Sequence, residues 1–123
     1  MGLLVLIVDD NEQNARLVRD VLEAAGIGTL SAATAVDGLR LAREHAPDLV
    51  LMDLRLPDLD GFEAARRLRA DPNTSGIPIV ALSATRAEDA HALLGEECFS
   101  GYIEKPIDVQ ELPRQVRRFG APC

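Results

Sequence analysis

The sequence predicts an α/β protein built on one doubly wound, five-stranded parallel sheet in the order 2-1-3-4-5. Three observations carry this. Short, continuous apolar runs recur at Leu3–Val8, Leu49–Leu54 and Ile77–Leu82, the pattern of strands covered on both faces of a parallel sheet. Stretches with helical apolar spacing lie between them. The alternation persists along the 123 residues, and parallel neighbours require right-handed crossover connections.

The elements follow in order. After the first strand, Val18, Val21, Leu22 and Ala25 fall at i, i+3, i+4 and i+7, and Gly26 is a natural helix stop. A weaker strand is expected at Ile27–Ala33. Thr34 with Asp37 resembles a capping box that opens a second helix toward His45, closed by Pro47. The central strand Leu49–Leu54 leads to a helix from about Gly61 to Ala70 with Phe62, Ala65 and Leu68 inward. After the strand at Ile77–Leu82, a fourth helix is expected over Ala87–Glu97, with Ala87, Ala90 and Leu94 on one stripe. A weaker strand at Gly101–Glu104 precedes a last helix that starts after Asp108 and carries Val109, Leu112, Val116 and Phe119 on one face.

The length suits a single domain over residues 1–123 with the last few residues as a loose tail. Asp plus Glu number 20 against 13 Lys plus Arg, a net charge of −7, so the electrostatic attraction behind nucleic-acid or acidic-membrane binding is missing. With no Trp, one Tyr and three Phe, there is no aromatic platform for bases. The longest apolar run is far short of a bilayer span. No basic leader or cleavage pattern opens the chain, and Leu6 stands where a myristoylation signal wants Ser or Thr. Cys98 and Cys123 form neither a disulfide framework nor a metal spacing, which suits a reducing cytoplasm. His45 and His91 have no companion ligand and read as solvated or packed.

In such a sheet, ligands bind outside the carboxyl ends of the strands, near the reversal of strand order. There the sequence places Asp9 and Asp10, Asp53, Ser83, and the run Glu104-Lys105-Pro106. Two carboxylates about 5 Å apart repel by about 3 kcal/mol at an effective dielectric near 20, so ionising all of them needs a cation. Lys105 supplies one charge. All-oxygen donors with room for water and phosphate favour Mg²⁺ over Ca²⁺ for the rest. Lys105 is the sole lysine beside twelve arginines, and a compact ammonium touches a phosphoryl oxygen as a point charge where a guanidinium would fork. Simpler roles exist for each residue: helix N-terminal acids for Asp9 and Asp10, a strand-capping Lys105, a neighbour-satisfying Ser83. Asp53, inside a run that should be buried, fits a purely structural role least.

At these residues the chain resembles the receiver domain of two-component response regulators. The fragments are Leu-Ile-Val-Asp-Asp-Asn ending the first strand, Leu51 to Gly61, Ala-Leu-Ser-Ala from Ala81, and Tyr-Ile-Glu-Lys-Pro-Ile from Tyr102. Each is weak alone; together, in order, they are specific. The fold implied is the flavodoxin-like (βα)5 arrangement, in a stand-alone, CheY-like receiver similar to the DivK-type regulators. The resemblance implies that Asp53 accepts a phosphoryl group from a histidine kinase or a histidine phosphotransfer protein. Asp10, Asp53 and the backbone carbonyl of Arg55 would hold Mg²⁺, with Asp9 acting through a water. Lys105 and Ser83 would contact phosphoryl oxygens, and Ser83 with Tyr102 would form a switch that reshapes the face of the fourth helix, fifth strand and last helix toward a downstream protein. The side chains of Arg55 and Ala84 are the modulating positions, and a monomer or weak dimer is expected.

Some features depart from the family pattern. Arg55 is a long cation beside the reaction, Cys98 stands where a helix-ending Gly is usual, and Pro113 is expected near the second turn of the last helix, bending it. Rival readings remain. A haloacid-dehalogenase-like phosphatase wants a second acid where Arg55 stands. A flavin-phosphate binder wants Gly, Ser and Thr where Asp9-Asp10-Asn11-Glu12 lies. A phosphorylation-independent interaction module would keep the acids as a structural cluster.

Overall fold

The structure, a computed structural model, describes residues 3–54, 56–59, 61–83, 99–104 and 107–120. Five parallel strands, β1 (Leu4–Val8), β2 (Gly28–Ala32), β3 (Leu49–Asp53), β4 (Ile79–Ser83) and β5 (Gly101–Glu104), form one sheet in the order β2-β1-β3-β4-β5. The described helices are α1 (Glu12–Ala24), α2 (Ala35–His45), α3 (Gly61–Ala70) and a C-terminal helix (Leu112–Gly120). None of them is long and apolar enough to cross a membrane. The expected fourth helix at Ala87–Glu97, with His91 and Cys98, lies outside the described residues, as does Cys123.

Strand alternation sorts the core into two layers. Val5, Ile7, Leu49, Leu51, Val80 and Leu82 face Val18 and Leu22 of α1 and Leu112 and Val116 of the C-terminal helix. Leu6, Val8, Val50 and Met52 face Ala35 and Ala42 of α2 and Ala64, Ala65 and Leu68 of α3. Because successive side chains point to opposite faces, an apolar run with no polar interruption is what a sheet covered on both sides requires.

Local chemistry sets the element ends. Asn11 caps α1, its side chain accepting from the Asn14 N–H at 3.1 Å. At the other end Gly26 takes φ 82°, Ile27 N donates to Leu22 O at 2.9 Å and Gly26 N to Glu23 O at 3.0 Å, a Schellman closure that needs a left-handed residue. Ile27 is thereby spent on the cap, and β2 begins at Gly28. Thr34 caps α2 through the Asp37 N–H. That helix ends on Ala46 in the left-handed region at φ 46°, directly before Pro47. β4 starts two residues later than the apolar run: Ile77 N donates to Thr74 O and its carbonyl accepts from the Arg69 guanidinium, while Pro78 has no N–H to give.

Two expectations at the C-terminal helix are corrected. Val109 does not join the inward stripe; it lies in the turn before the helix and is 44% exposed. Pro113 is not in the second turn. A separate turn is closed by Leu112 N donating to Asp108 O at 2.9 Å, and the helix starts at Leu112, so Pro113 stands in its first turn, where an N–H is not needed for the intrahelical bonds. Phe62 is only half-buried, with its ring edge-on to Phe99 at a centroid distance of 5.5 Å.

Candidate functional site

The parallel register brings the acids to one level. Val8 pairs with Met52, so Asp9 and Asp53 are the next residues on adjacent strands. This is the point where strand order reverses, with β2 on one side of β1 and β3 on the other. Asp9 N is held by Ala32 O at 3.0 Å, and an Asp9 carboxylate oxygen accepts from Asn11 N at 2.9 Å. The turn into α1 is thus folded back over the strand end, and Asp10 projects outward as an exposed residue.

One ligand oxygen from each of Asp9, Asp10 and Asp53 lies within 4.8 Å of the others. Asp9 and Asp53 are 2% and 8% exposed. Each ionised pair at that spacing repels by about 3 kcal/mol at an effective dielectric near 20, so a divalent cation is the natural complement. The donors are all carboxylate oxygens, the chemistry of a hard ion, and the exposed Asp10 leaves room for the waters that Mg²⁺ retains. The three carboxylates fit Mg²⁺ and could hold it. A groove of about 480 Å³ between α1 and the end of β2, lined by Glu12, Arg16, Arg19 and Ser31 among others, opens beside Asp9.

The remaining expected site residues divide. Ser83 ends β4 in register with Glu104, one residue past the Leu82 that pairs with Asp53. Tyr102 lies in β5 opposite Ala81 and is 38% exposed. Arg55, Ala84, Lys105 and Pro106, with the side chain of Ser83, lie outside the described residues. His45 is exposed at the end of α2, 4.0 Å from Glu44.

One side chain near the site was not legible in advance. Asp58, in the loop between β3 and α3, accepts from Ala35 N and Val36 N, both at 2.9 Å. These bonds, Ala35 first and Val36 second, hold its carboxyl below the usual range. The only signal in the sequence is an acid after Pro57, which reads as an ordinary turn residue.

Comparison with known proteins gives the same picture along the chain. The family model for the response regulator receiver domain matches residues 5–117. The chain is 36% identical over 115 residues to the polar-differentiation response regulator DivK of Brucella ovis, covering 94% of each protein, and equally so to DivK of Brucella anthropi. Among solved structures it is similar to the receiver domain of a Pseudomonas aeruginosa sensor histidine kinase, with TM-score 0.89, 32% identity, and 99% of this chain and 100% of that one covered. That crystal structure has a magnesium ion coordinated in the active site cleft. It is also similar to the chemotaxis protein CheY4 of Vibrio cholerae, with TM-score 0.88, 25% identity, and 97% and 99% covered. Receiver domains of this kind work with histidine kinases and downstream targets in two-component signal transduction. With sequence, sheet order and acidic rim in agreement, the chain belongs to the response regulator receiver domain family.

Proposed function

We propose that this chain is a receiver, one domain over residues 1–123, that accepts a phosphoryl group on Asp53 from a phosphohistidine of a histidine kinase or histidine phosphotransfer protein in the cytoplasm. The observation that supports it most is the gathering of Asp9, Asp10 and Asp53 to within 4.8 Å at the topological switch point. An Asp53 oxygen attacks phosphorus in line as the P–N bond breaks, and the electron pair of that bond returns to the imidazole. Water later attacks the acyl phosphate, releasing inorganic phosphate and restoring the carboxylate. The chain acts on its own Asp53 and is not a turnover enzyme.

Asp10, Asp53 and the carbonyl of Arg55 would hold Mg²⁺, with Asp9 engaging through a water. A bound Mg²⁺ would neutralise phosphoryl oxygens and so lower the electrostatic barrier to attack by an anion. Lys105 and Ser83 offer an ammonium and a hydroxyl to the same oxygens. Ser83 and Tyr102 then carry the switch to the surface formed around β5 and the C-terminal helix, where a downstream protein binds. Tyr102 lies in β5 with its side chain partly open to solvent, within reach of a binding partner at that surface.

The test is incubation with acetyl phosphate and Mg²⁺, read on phosphate-affinity gels. The parent is expected to shift, and Asp53→Asn or excess EDTA to abolish the shift. A persistent shift in Asp53→Asn would assign the acceptor elsewhere. No shift in the parent, with none on transfer from a phosphorylated kinase, would favour the phosphorylation-independent interaction module.

A further inference from the structure

The first turn of α2 is satisfied from two directions. Thr34 supplies the local cap to Asp37 N at 3.2 Å, but the N–H groups of Ala35 and Val36 are taken by the two carboxylate oxygens of Asp58, each at 2.9 Å. Helix starts ordinarily recruit such acceptors from their own cap or from water. Here they come from 23 and 22 residues further along the chain, out of the loop that leaves Asp53.

That helix start is also tied to the other acid-bearing strand. Ala32, at the entry to the turn, accepts from Asp9 N at 3.0 Å. Gly38 approaches β1 so closely that an added Cβ would stand 2.8 Å from Val8 Cγ2. On the far side, the Asp58 loop is closed by Gly61 N donating to Leu54 O at 3.0 Å. A Cβ on Gly61 would lie 2.6 Å from Asp53 O. A continuous path of hydrogen bonds and close packing, with the Asp58 carboxylate as its side-chain link, therefore runs from Asp9 through the start of α2 to Asp58 and back to Asp53.

We propose that Asp58 is a positioning residue of the metal centre: its two-oxygen grip on the start of α2 sets the spacing between the acids ending β1 and Asp53 ending β3, and with it the affinity for Mg²⁺. The inference rests on the metal-assisted acceptor reading above. Its physical basis is mutual repulsion. Like charges held within 4.8 Å move apart when a restraint on the loop is removed, and a bound cation must then draw them together again. A plain helix cap would instead affect stability alone.

The test is an amide chemical-shift titration of the purified chain with Mg²⁺, alongside unfolding of each variant. Asp58→Ala is expected to weaken Mg²⁺ binding about tenfold, the lower end of what second-layer partners of a metal site contribute. Asp58→Asn keeps one carbonyl acceptor and is expected to fall between Asp58→Ala and the parent. The control is Arg43→Ala, which removes the 2.9 Å contact from Arg43 to Asp71 at the opposite end of α2 and should leave Mg²⁺ affinity as in the parent. Equal affinity in Asp58→Ala and the parent overturns the inference, and so does an equal loss in Arg43→Ala, which would mean general loosening of α2. If Asp58→Ala fails to fold, the near-isosteric Asp58→Asn decides: parental affinity refutes, weakened affinity supports. A parent with no Mg²⁺ response overturns the metal reading and the inference together, whereas a responsive parent with a parental Asp58→Ala overturns the inference alone.

Discussion

Gly61→Ala is the most informative single change outside the acids, because two known effects oppose each other and the structure decides which wins. Alanine is favoured over glycine by at most about 1 kcal/mol within a helix, and Gly61 is the first residue of α3. At Gly61, however, the new Cβ would stand 2.6 Å from Asp53 O and 2.7 Å from Leu54 Cα. Both neighbours are backbone, so no rotamer change relieves the overlap. To reach ordinary contact at 3.4 Å the start of α3 must retreat from the end of β3, and the 3.0 Å bond from Gly61 N to Leu54 O is lost with it. Overpacking of this severity costs about 3 kcal/mol and the lost bond about 1 kcal/mol. The net loss is about 3 kcal/mol, equivalent to roughly 10 °C in Tm at the usual unfolding entropy per residue. Urea and thermal unfolding followed by far-UV circular dichroism suit a chain with no Trp. Gly76→Ala is the internal standard: nothing lies within 4 Å of its added Cβ, and its stability should stay within about 1 kcal/mol of the parent. A Gly61→Ala midpoint at or above the parental value would refute the steric argument.

Further outcomes follow from the same geometry. Leu51→Ala, at a fully buried position of β3, should cost about 2 to 5 kcal/mol by urea unfolding, the range for cavities left by leucine. Mg²⁺ should raise Tm in proportion to the logarithm of its concentration above Kd, about 1.4 kcal/mol at tenfold Kd, and Asp53→Asn should remove that increment. The carboxyls of Asp58 and Asp71 are held below their usual range, Asp58 first by the Ala35 N–H and Asp71 first by the Asn73 N–H and then by Arg43. A depressed folded-state value means that their stabilisation is present above the unfolded value near about 3.9 and is lost as pH falls through the lower folded one. Stability should therefore drop below about pH 5, and Asp71→Asn should flatten that drop in urea midpoints taken across pH. Arg55→Ala should change the lifetime of the phosphorylated form, measured by loss of the gel-shifted band; an unchanged lifetime removes the guanidinium from the reaction.

The inner strands β1, β3 and β4 were readable because a strand covered on both faces carries no polar residue in its middle. Leu49 to Asp53 follows that rule until the chain emerges at the rim, where the first polar residue is the acid itself. The same logic located Asp9 and Asp10 after Val8. Where expectation and structure part, a backbone group had been committed elsewhere. Ile27 N belongs to the helix closure before it can join β2, and Leu112 N to the turn that precedes the C-terminal helix. Apolar pattern reports which side chains prefer burial, but not which N–H groups are already taken.

Sequence by itself determined the alternation of strands and helices, the strand-end acids and the family to which they point, since burial preference and residue chemistry are properties of local pattern. Only the tertiary structure decided that Val8 stands beside Met52, that three carboxylates fall within 4.8 Å, and that Asp58 reaches back across more than twenty residues to the start of α2. Those facts are distances between segments far apart in the chain. They arise when strand register, helix packing and loop closure are satisfied together, and no window of sequence contains all of them.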